Sequence, residues 1–443
     1  MADQSILRIT RELRDIQRGS DLSIAVACKD SNVRHIRALI IGPPDTPYEF
    51  GFFEFSVKFG REYPTKSPAV NSLTTNGGRT RFNPNIYAGG KVCLSILGTW
   101  RGERGEEWSS AQGLESILIS IQSLMSGNPY ENEPGFENSN TDYDKKNQQA
   151  YVAKIRHETL RVSVIERLEG YLGINKYNGS YVMPYTPDVE TDNRGDMGFE
   201  AAFEPFKDKV KRLFLWYYDS YVKAIDEESK KHSDGSRFEK MPFEGTGNTM
   251  EGTFQYTDLM TRLTVIRMRL MQESDGWVTE GKIAASKESS LANNLQRQFE
   301  QTVELFKKND AIALDLELVD SNPFLWQLVL FGRPMTNLDG GMFRVKIYIS
   351  PQFPSELPRV KVETPIFHHR VSKDGQLCFL VQKPDELCSY VEAIVAAIED
   401  ENPAYDPRTL VNLEASRLFW GSVEDRKVYS RKLRRSAQDS SEF

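Results

Sequence analysis

The sequence predicts an α+β protein built from two copies of one domain, and three observations carry that expectation. The segment "FFEFSVKF" sets Phe53, Phe55, Val57 and Phe59 on one face, the period of a half-buried strand; "MFRVKIYI" does the same with Phe343, Val345, Ile347 and Ile349, 290 residues later at every position. Each copy runs from an amphipathic helix into successive strands separated by short turns, an order that favours an antiparallel meander. Each then carries a cysteine in the same frame, Cys93 in "FNPNIYAGGKVCLSILGTW" and Cys378 in "FHHRVSKDGQLCFLV".

In the first copy the opening helix is striped by Ile6, Ile9, Leu13 and Ile16, with Arg8, Arg11, Arg14 and Arg18 elsewhere around it. Leu22, Ile24, Val26 and Cys28 alternate as a strand. The 290-residue offset also joins Gly42 to Gly332 and "YPTKSP" (63–68) to "FPSELP" (353–358). From Phe82 to Cys93 the offset falls to 285, so the preceding loop is five residues shorter in the second copy, and Asn128-Pro129 pairs with Asn402-Pro403. This is a domain duplication with loop drift, not a short-period solenoid.

Residues 173–198 read as loop, rich in Gly, Pro, Asn and Asp. Phe203, Phe206, Val210, Phe214, Tyr217, Tyr221 and Ile225 then trace a helical stripe. A polar, Gly-rich stretch at 233–252 and a second stripe through Leu259, Leu263, Ile266 and Leu270 follow; both stripes are expected to pack on the first copy. The second copy opens with Leu291, Leu295, Phe299, Val303 and Phe306, then alternates through Ile312, Leu314, Leu316 and Leu318 and through Trp326, Leu328 and Leu330. The expected domains are 1–172, a helical extension and linker at 173–284, and 285–443.

Hydrophobic residues at 39% and charged residues at 27% suit a soluble protein with real cores. A formal net charge of -7 leaves no basic excess for phosphates, so no nucleic-acid partner is expected. No run of 18 apolar residues marks a membrane span, and the charged N-terminus is not a signal peptide. The basic "RKLRR" (431–435) reads as a solvated helix end. Four cysteines, Cys28, Cys93, Cys378 and Cys388, are too few for a disulfide framework and suit a reducing compartment, cytoplasmic or nuclear. Without a CxxC pair or HExxH, no metal site is expected.

Three roles compete for Cys93. It can be a plain buried thiol, a nucleophile activated by a base such as His, or an acceptor of an acyl group already activated as a thioester. The last needs no strong base, because the leaving group is itself a thiol and a free cysteine with pKa about 8.5 supplies some thiolate near neutrality. The five histidines, His35, His157, His232, His368 and His369, are all distant from Cys93 in sequence, which weakens the hydrolase reading. The nearest polar partner is Asn85, an amide donor suited to an oxyanion or to tying down a loop.

"GPPDTPYEFGFFEF" (42–55), "EYPTKSP" (62–68), "FNPN" (82–85), "GGKVCLSIL" (89–97), "WSSAQGLESILISIQSLM" (108–125) and "NPYENEPGF" (128–136) together resemble the ubiquitin-conjugating enzymes, in that order. "LGTW", the insertion before Trp108, "NEPGF" and "RHETLR" (156–161) are similar to the Z-type branch, a likeness extending weakly to about residue 272. The resemblance implies two such folds, each an N-terminal helix, a four-stranded antiparallel meander and C-terminal helices, joined by a helical region. It implies that Cys93 takes ubiquitin or a ubiquitin-like modifier from an activating enzyme as a thioester and passes it to a lysine of a protein substrate, with or without a ligase. ATP is used by the activating enzyme, so no cofactor is expected on this chain. Asn85 matches the Asn of the family's His-Pro-Asn motif; the motif's His is Asn83 here, which implies an altered turn network without loss of activity. Glu131 or Glu133 falls where relatives carry an acid that orients or deprotonates the incoming lysine, although two residues are inserted there; a solvated acidic loop is the alternative. Ser95 stands where many members have Asp. Ile119 matches a position that packs on the donor modifier, or it is core. Thr65 replaces a hydrophobic residue used to grip ligases and Ser110 a loop Pro, which puts RING-type recognition in question. Arg8, Arg11 and Arg14 match the docking helix for the activating enzyme, or a solvated face.

The second copy keeps "GQLCFL", "NPAYDP" (402–407) and "NLEAS" (412–416), but His368-His369-Arg370 replaces His-Pro-Asn, and Cys378 lies 24 residues before Asn402 against 35 from Cys93 to Asn128. Cys378 is retained as a candidate second site, with Arg370 as a fixed-fork oxyanion donor; a structural or binding domain is the alternative. Cys388 reads as a packed thiol. For the whole chain, a non-catalytic modifier-binding or scaffold protein on the same fold stands as the second reading.

Overall fold

The computed structural model describes residues 4–19, 21–102, 105–174, 176–177, 180–181, 203–245, 250–308 and 312–442. They divide into two compact units, one of residues 1–210 and 224–266, the other of residues 211–223 and 267–443. The loop-like reading of 173–198 falls largely outside the described residues.

In the first unit, α1 (Gln4–Arg18) leads into β1 (Ile24–Lys29), β2 (Asn32–Ile41), β3 (Phe52–Lys58) and β4 (Ala69–Ser72), an antiparallel meander in that spatial order. Ile9 and Leu13 anchor α1 on the sheet, whereas Ile6 is 36% exposed, so the stripe is narrower than its sequence period. α2 (Leu114–Ser123) packs Ile117, Leu118 and Ile121 into the same core. α3 (Asp142–Glu158) starts at Thr141, whose hydroxyl accepts from Asp144 N, and continues through a π-helical stretch (Thr159–Glu166) into α4 (Arg167–Leu172).

That stretch explains why β3 is not half-buried as its alternation suggests. Phe53, Phe55 and Val57 face the core, but Glu54 and Ser56 are buried too. Arg167 donates to Glu54 at 2.7 Å, and a Cβ on Gly51 would meet Ser163 Oγ and Thr159 Cγ2 at 2.6 Å. The extra helices cover the second face of the sheet.

The "RHETLR" segment is a buried polar joint. His157 rings pack edge-on against Phe238, Phe254 and Tyr256, and its Nε2 accepts from Gln255 N. Lys154 and Glu244 pair at 2.7 Å with almost no exposure. Burial pushes the Glu158 carboxyl up, but hydrogen bonds from Arg161 and His157 outweigh it and hold it at about 2.

After two-residue strands β5 (Lys176–Tyr177) and β6 (Ser180–Tyr181) come α5 (Lys207–Ser229) and α6 (Tyr256–Ser286). Neither of these two helices falls wholly in one unit. Leu259, Leu263 and Ile266 belong to the first unit, whereas residues 211–223 and 267 onward belong to the second. The second unit repeats the fold: α7 (Ser290–Lys307), then β7 (Leu314–Leu318), β8 (Leu325–Phe331), β9 (Met342–Tyr348) and β10 (Arg359–Val362) as a second meander, then α8 (Leu387–Glu399), α9 (Leu413–Phe419) and α10 (Val423–Asp439). Here β9 does alternate, with Phe343, Val345 and Ile347 inward and Met342, Arg344, Lys346 and Tyr348 partly exposed. "RKLRR" lies on α10; Leu433 is buried and Arg435 solvated. No helix among the described residues is long and apolar enough to cross a membrane.

Candidate active site

Cys93 is held from both flanks. Upstream, its N–H donates to Asn85 O at 2.8 Å while Asn85 Nδ2 donates back to Cys93 O at 3.0 Å, a two-bond clamp between turn and cysteine. Downstream, Thr99 of "LGTW" donates to Val92 O at 2.7 Å and accepts from Leu94 N at 3.0 Å, with Gly98 left-handed at φ 67° in the turn between. The Asn85 amide is therefore committed to the Cys93 carbonyl, an ordering role, and would reach an oxyanion only by exchanging that bond.

Asn83, fully buried, rebuilds the turn in its own way. Its Nδ2 donates to Tyr48 Oη at 3.0 Å and Leu124 O at 2.8 Å, and its Oδ1 accepts from Asn85 N at 2.9 Å. The two acids separate. Glu131 is exposed, whereas Glu133 accepts from Arg81 Nη2 at 3.1 Å. Arg81, 6% exposed, also donates to Pro84 O and lies 4.5 Å over the Tyr87 ring. It thus joins the acidic loop, the Asn-Pro-Asn turn and the segment leading to Cys93. Sequence reasoning passed over Arg81 and Thr99. A charged residue two before Asn83 in an otherwise apolar-to-turn segment was the available signal for the first; the "LGTW" segment that carries the Z-type likeness contained the second, without marking its hydroxyl.

Around this centre, Ile119 is 51% exposed on α2, so it is not core. Ser95 begins a short 3-10 turn (Ser95–Leu97) and is partly exposed. Thr65 and Ser110 are exposed, and Trp108 Nε1 donates to Pro64 O at 2.8 Å, bracing their two loops together. Arg11 and Arg14 are exposed, but Arg8 is partly buried and donates to Glu12 and to Gln112 O, so it serves the α1–α2 joint.

The second copy repeats the backbone and changes the chemistry. Cys378 N donates to Arg370 O at 2.9 Å, and His368 Nδ1 accepts from Arg370 N as Asn83 does from Asn85 N. Yet the Arg370 side chain returns no bond to Cys378, and its buried Nε lacks a partner. Cys378 is fully buried, and that burial, opposed by Arg370, pushes its thiol up to about 12. Within this unit α5 lies on the cysteine segment: Trp216 packs 6.4 Å from Phe379 and Tyr217 donates to Arg408 O at 3.0 Å. Cys378 is thus enclosed within its unit and burial disfavours its thiolate, although Cys93 too is buried, at 4% exposure. Cys388 is partly exposed, with its thiol raised first by burial.

A family model described as ubiquitin-conjugating enzyme matches residues 8–159 and 294–419, one stretch on each copy and together more than half of the chain. The chain is 38% identical over 271 residues to human ubiquitin-conjugating enzyme E2 Z, across 61% of this chain and 65% of that protein, so it spans less than two thirds of that relative's length. It is 39% identical over 272 residues to the zebrafish (Danio rerio) E2 Z, across 61% and 70%. It is 42% identical over 152 residues to the human dual E2 ubiquitin-conjugating enzyme/E3 ubiquitin-protein ligase BIRC6, across 34% of this chain and 3% of that one. Among solved structures, human ubiquitin-conjugating enzyme E2 G1 aligns at 28% identity with a TM-score of 0.25, over 28% of this chain and 97% of that one. With its family pattern matched in both meanders, the chain belongs to the ubiquitin-conjugating enzymes.

Proposed function

We propose that the first domain carries ubiquitin or a ubiquitin-like modifier as a thioester on Cys93, and that the second domain is accessory. The Cys93 thiolate attacks the thioester carbonyl on a charged activating enzyme, whose thiolate leaves as the new thioester forms. A substrate lysine amine then attacks that carbonyl; the amide bond forms, the Cys93 thiolate leaves, and the amine proton passes to solvent or a nearby base. The reciprocal Asn85–Cys93 hydrogen bonds carry this reading, because they fix the backbone of the cysteine and hold an amide donor next to it, which can turn to a developing oxyanion by exchanging its bond to the Cys93 carbonyl.

Glu133 is positioned by Arg81, which favours it over Glu131 as the acid that orients the amine. Ile119 offers an exposed apolar contact for the donor modifier, and Arg11 and Arg14 offer charge to an activating enzyme. A reducing compartment, cytoplasm or nucleus, suits a working free thiol.

A charging assay with activating enzyme, ATP and modifier, read on a non-reducing gel, tests the proposal. The expected result is a reducible adduct lost in Cys93→Ala and kept in Cys378→Ala. An adduct that follows Cys378 reverses the assignment of the two domains. Failure of every ubiquitin-type modifier to form one leaves the scaffold reading standing in its place.

A further inference from the structure

The duplication makes each copy a template for the other, and at one place the second copy lacks what fills the first. Gly42 N donates to Gly51 O and Gly332 N to Gly341 O, and a Cβ on either glycine would meet the carbonyl six residues on, of Tyr48 or of Leu338, at 1.7 Å. Tyr48 and Leu338 are therefore the same position. In the first copy the Tyr48 phenol is fully buried, donates to Phe82 O at 2.7 Å and accepts from Asn83. Three residues before the paired Asn128 and Asn402, Met125 is buried in the first copy where the second has Glu399. The second copy thus replaces a phenol and a thioether with a shorter aliphatic chain and a carboxyl.

A cavity of about 170 Å³ opens there, walled by Leu338, Ile398, Phe419, Leu433, His369 and Tyr429. Engineered apolar cavities of about 150 Å³ accept benzene, so a single substituted ring fits. His369 is 2% exposed, stacks on Phe419 at 4.2 Å and bonds Tyr429 Oη through Nδ1 at 3.1 Å, yet its Nε2 has no partner. Buried polar atoms are seldom left so. Burial holds this imidazole down at about 3, with Arg370 adding to the effect, so it is neutral and offers one donor or acceptor. Arg333, Glu399 and Arg426 also line the cavity, and burial raises the Glu399 carboxyl against the pull of Arg333.

We propose that this cavity binds a phenol-sized aromatic group whose single polar substituent meets His369 Nε2, in the space the first copy fills with its own tyrosine. Such a ring can come from a free small molecule or from a tyrosine side chain of a peptide. The test titrates p-cresol, toluene and N-acetyl-tyrosinamide into the full chain, followed by ligand-observed NMR and calorimetry. Saturable p-cresol binding is expected, weakened by roughly tenfold or more in L338Y, which returns the missing ring, and by about fivefold in H369F with toluene little affected. Binding of the capped tyrosine as well as p-cresol identifies a side-chain pocket; binding of p-cresol alone identifies a small-molecule pocket. If L338Y does not fold, L338F serves the same purpose, checked by circular dichroism. No saturable p-cresol binding, or binding indifferent to both Leu338 and His369 substitutions, overturns the proposal. Its outcome is independent of whether Cys93 charges.

Discussion

Replacing Asn83 tests how the active-site turn is held. Asn83→Ala removes the acceptor for Asn85 N and the donors to Tyr48 Oη and Leu124 O, all at a fully buried position. Leu124 O keeps a second donor in Asn132 Nδ2 at 2.9 Å and the Tyr48 hydroxyl still donates to Phe82 O, so neither is orphaned. The Asn85 N–H is, at about 1–3 kcal/mol, and the lost bonds add roughly 0.5–1.5 kcal/mol each. A net loss of about 3 kcal/mol follows, a fall in Tm of roughly 5–10 °C for a unit of this size. Asn83→His is the informative contrast, because the second copy shows a ring nitrogen in the same role: His368 Nδ1 accepts from Arg370 N at 3.1 Å. It is expected to recover more than half the stability and to charge at Cys93 faster than the alanine variant. Urea unfolding and single-turnover charging measure both. An alanine variant within about 0.5 kcal/mol of the parent, or a histidine variant indistinguishable from it, would refute the reasoning.

Two further outcomes follow from buried titrating groups. Glu158 sits at about 2 in the fold against 4.5 for a free glutamate, so its contribution is complete above 4.5 and lost as pH falls toward 2; about 3 kcal/mol of acid-sensitive stability is involved. Urea titrations from pH 6 to 3 should show that slope flattened in Glu158→Gln, and an unchanged slope would remove Glu158 as its source. Iodoacetamide near pH 8 should label Cys93 in the native chain and spare Cys378, whose thiol at about 12 leaves roughly one part in ten thousand as thiolate; Tyr217→Ala should raise Cys378 labelling by mass spectrometry, and early labelling of Cys378 in the parent would contradict its burial.

What was legible in the sequence was what repeats. Strand alternation at matched offsets recovered both meanders, because period-two burial is imposed locally by the pleat. The turn-to-cysteine spacing recovered the Asn85–Cys93 pair, because both hydrogen bonds of the clamp fall within eight residues. What escaped depended on chain that returns from far away. Nothing in "FFEFSVKF" says that Arg167, 113 residues on, will bury the outer face of β3 through Glu54. Nothing near Cys378 says that Trp216 and Tyr217 will lie on its segment. The stripe through Tyr217 and Tyr221 promised a buried helix face without naming what buries it, and residues 211–223 of α5 belong to the second unit.

The same logic explains why two copies with one backbone can part in chemistry. The N–H···O bond from cysteine to turn survives in both, since any residue at position 85 or 370 supplies a carbonyl. The return bond needs a side-chain amide of the right length, and only Asn85 provides it. In the second copy the loss of that bond coincides with complete burial of the thiol. There, aromatic side chains of α5 lie on the cysteine segment, and burial pushes the Cys378 thiol up. The cavity beside His369 belongs to the same divergence. Leu338 and His369 stand where the first copy has Tyr48 and Pro84, and the four-stranded meander persists through both exchanges.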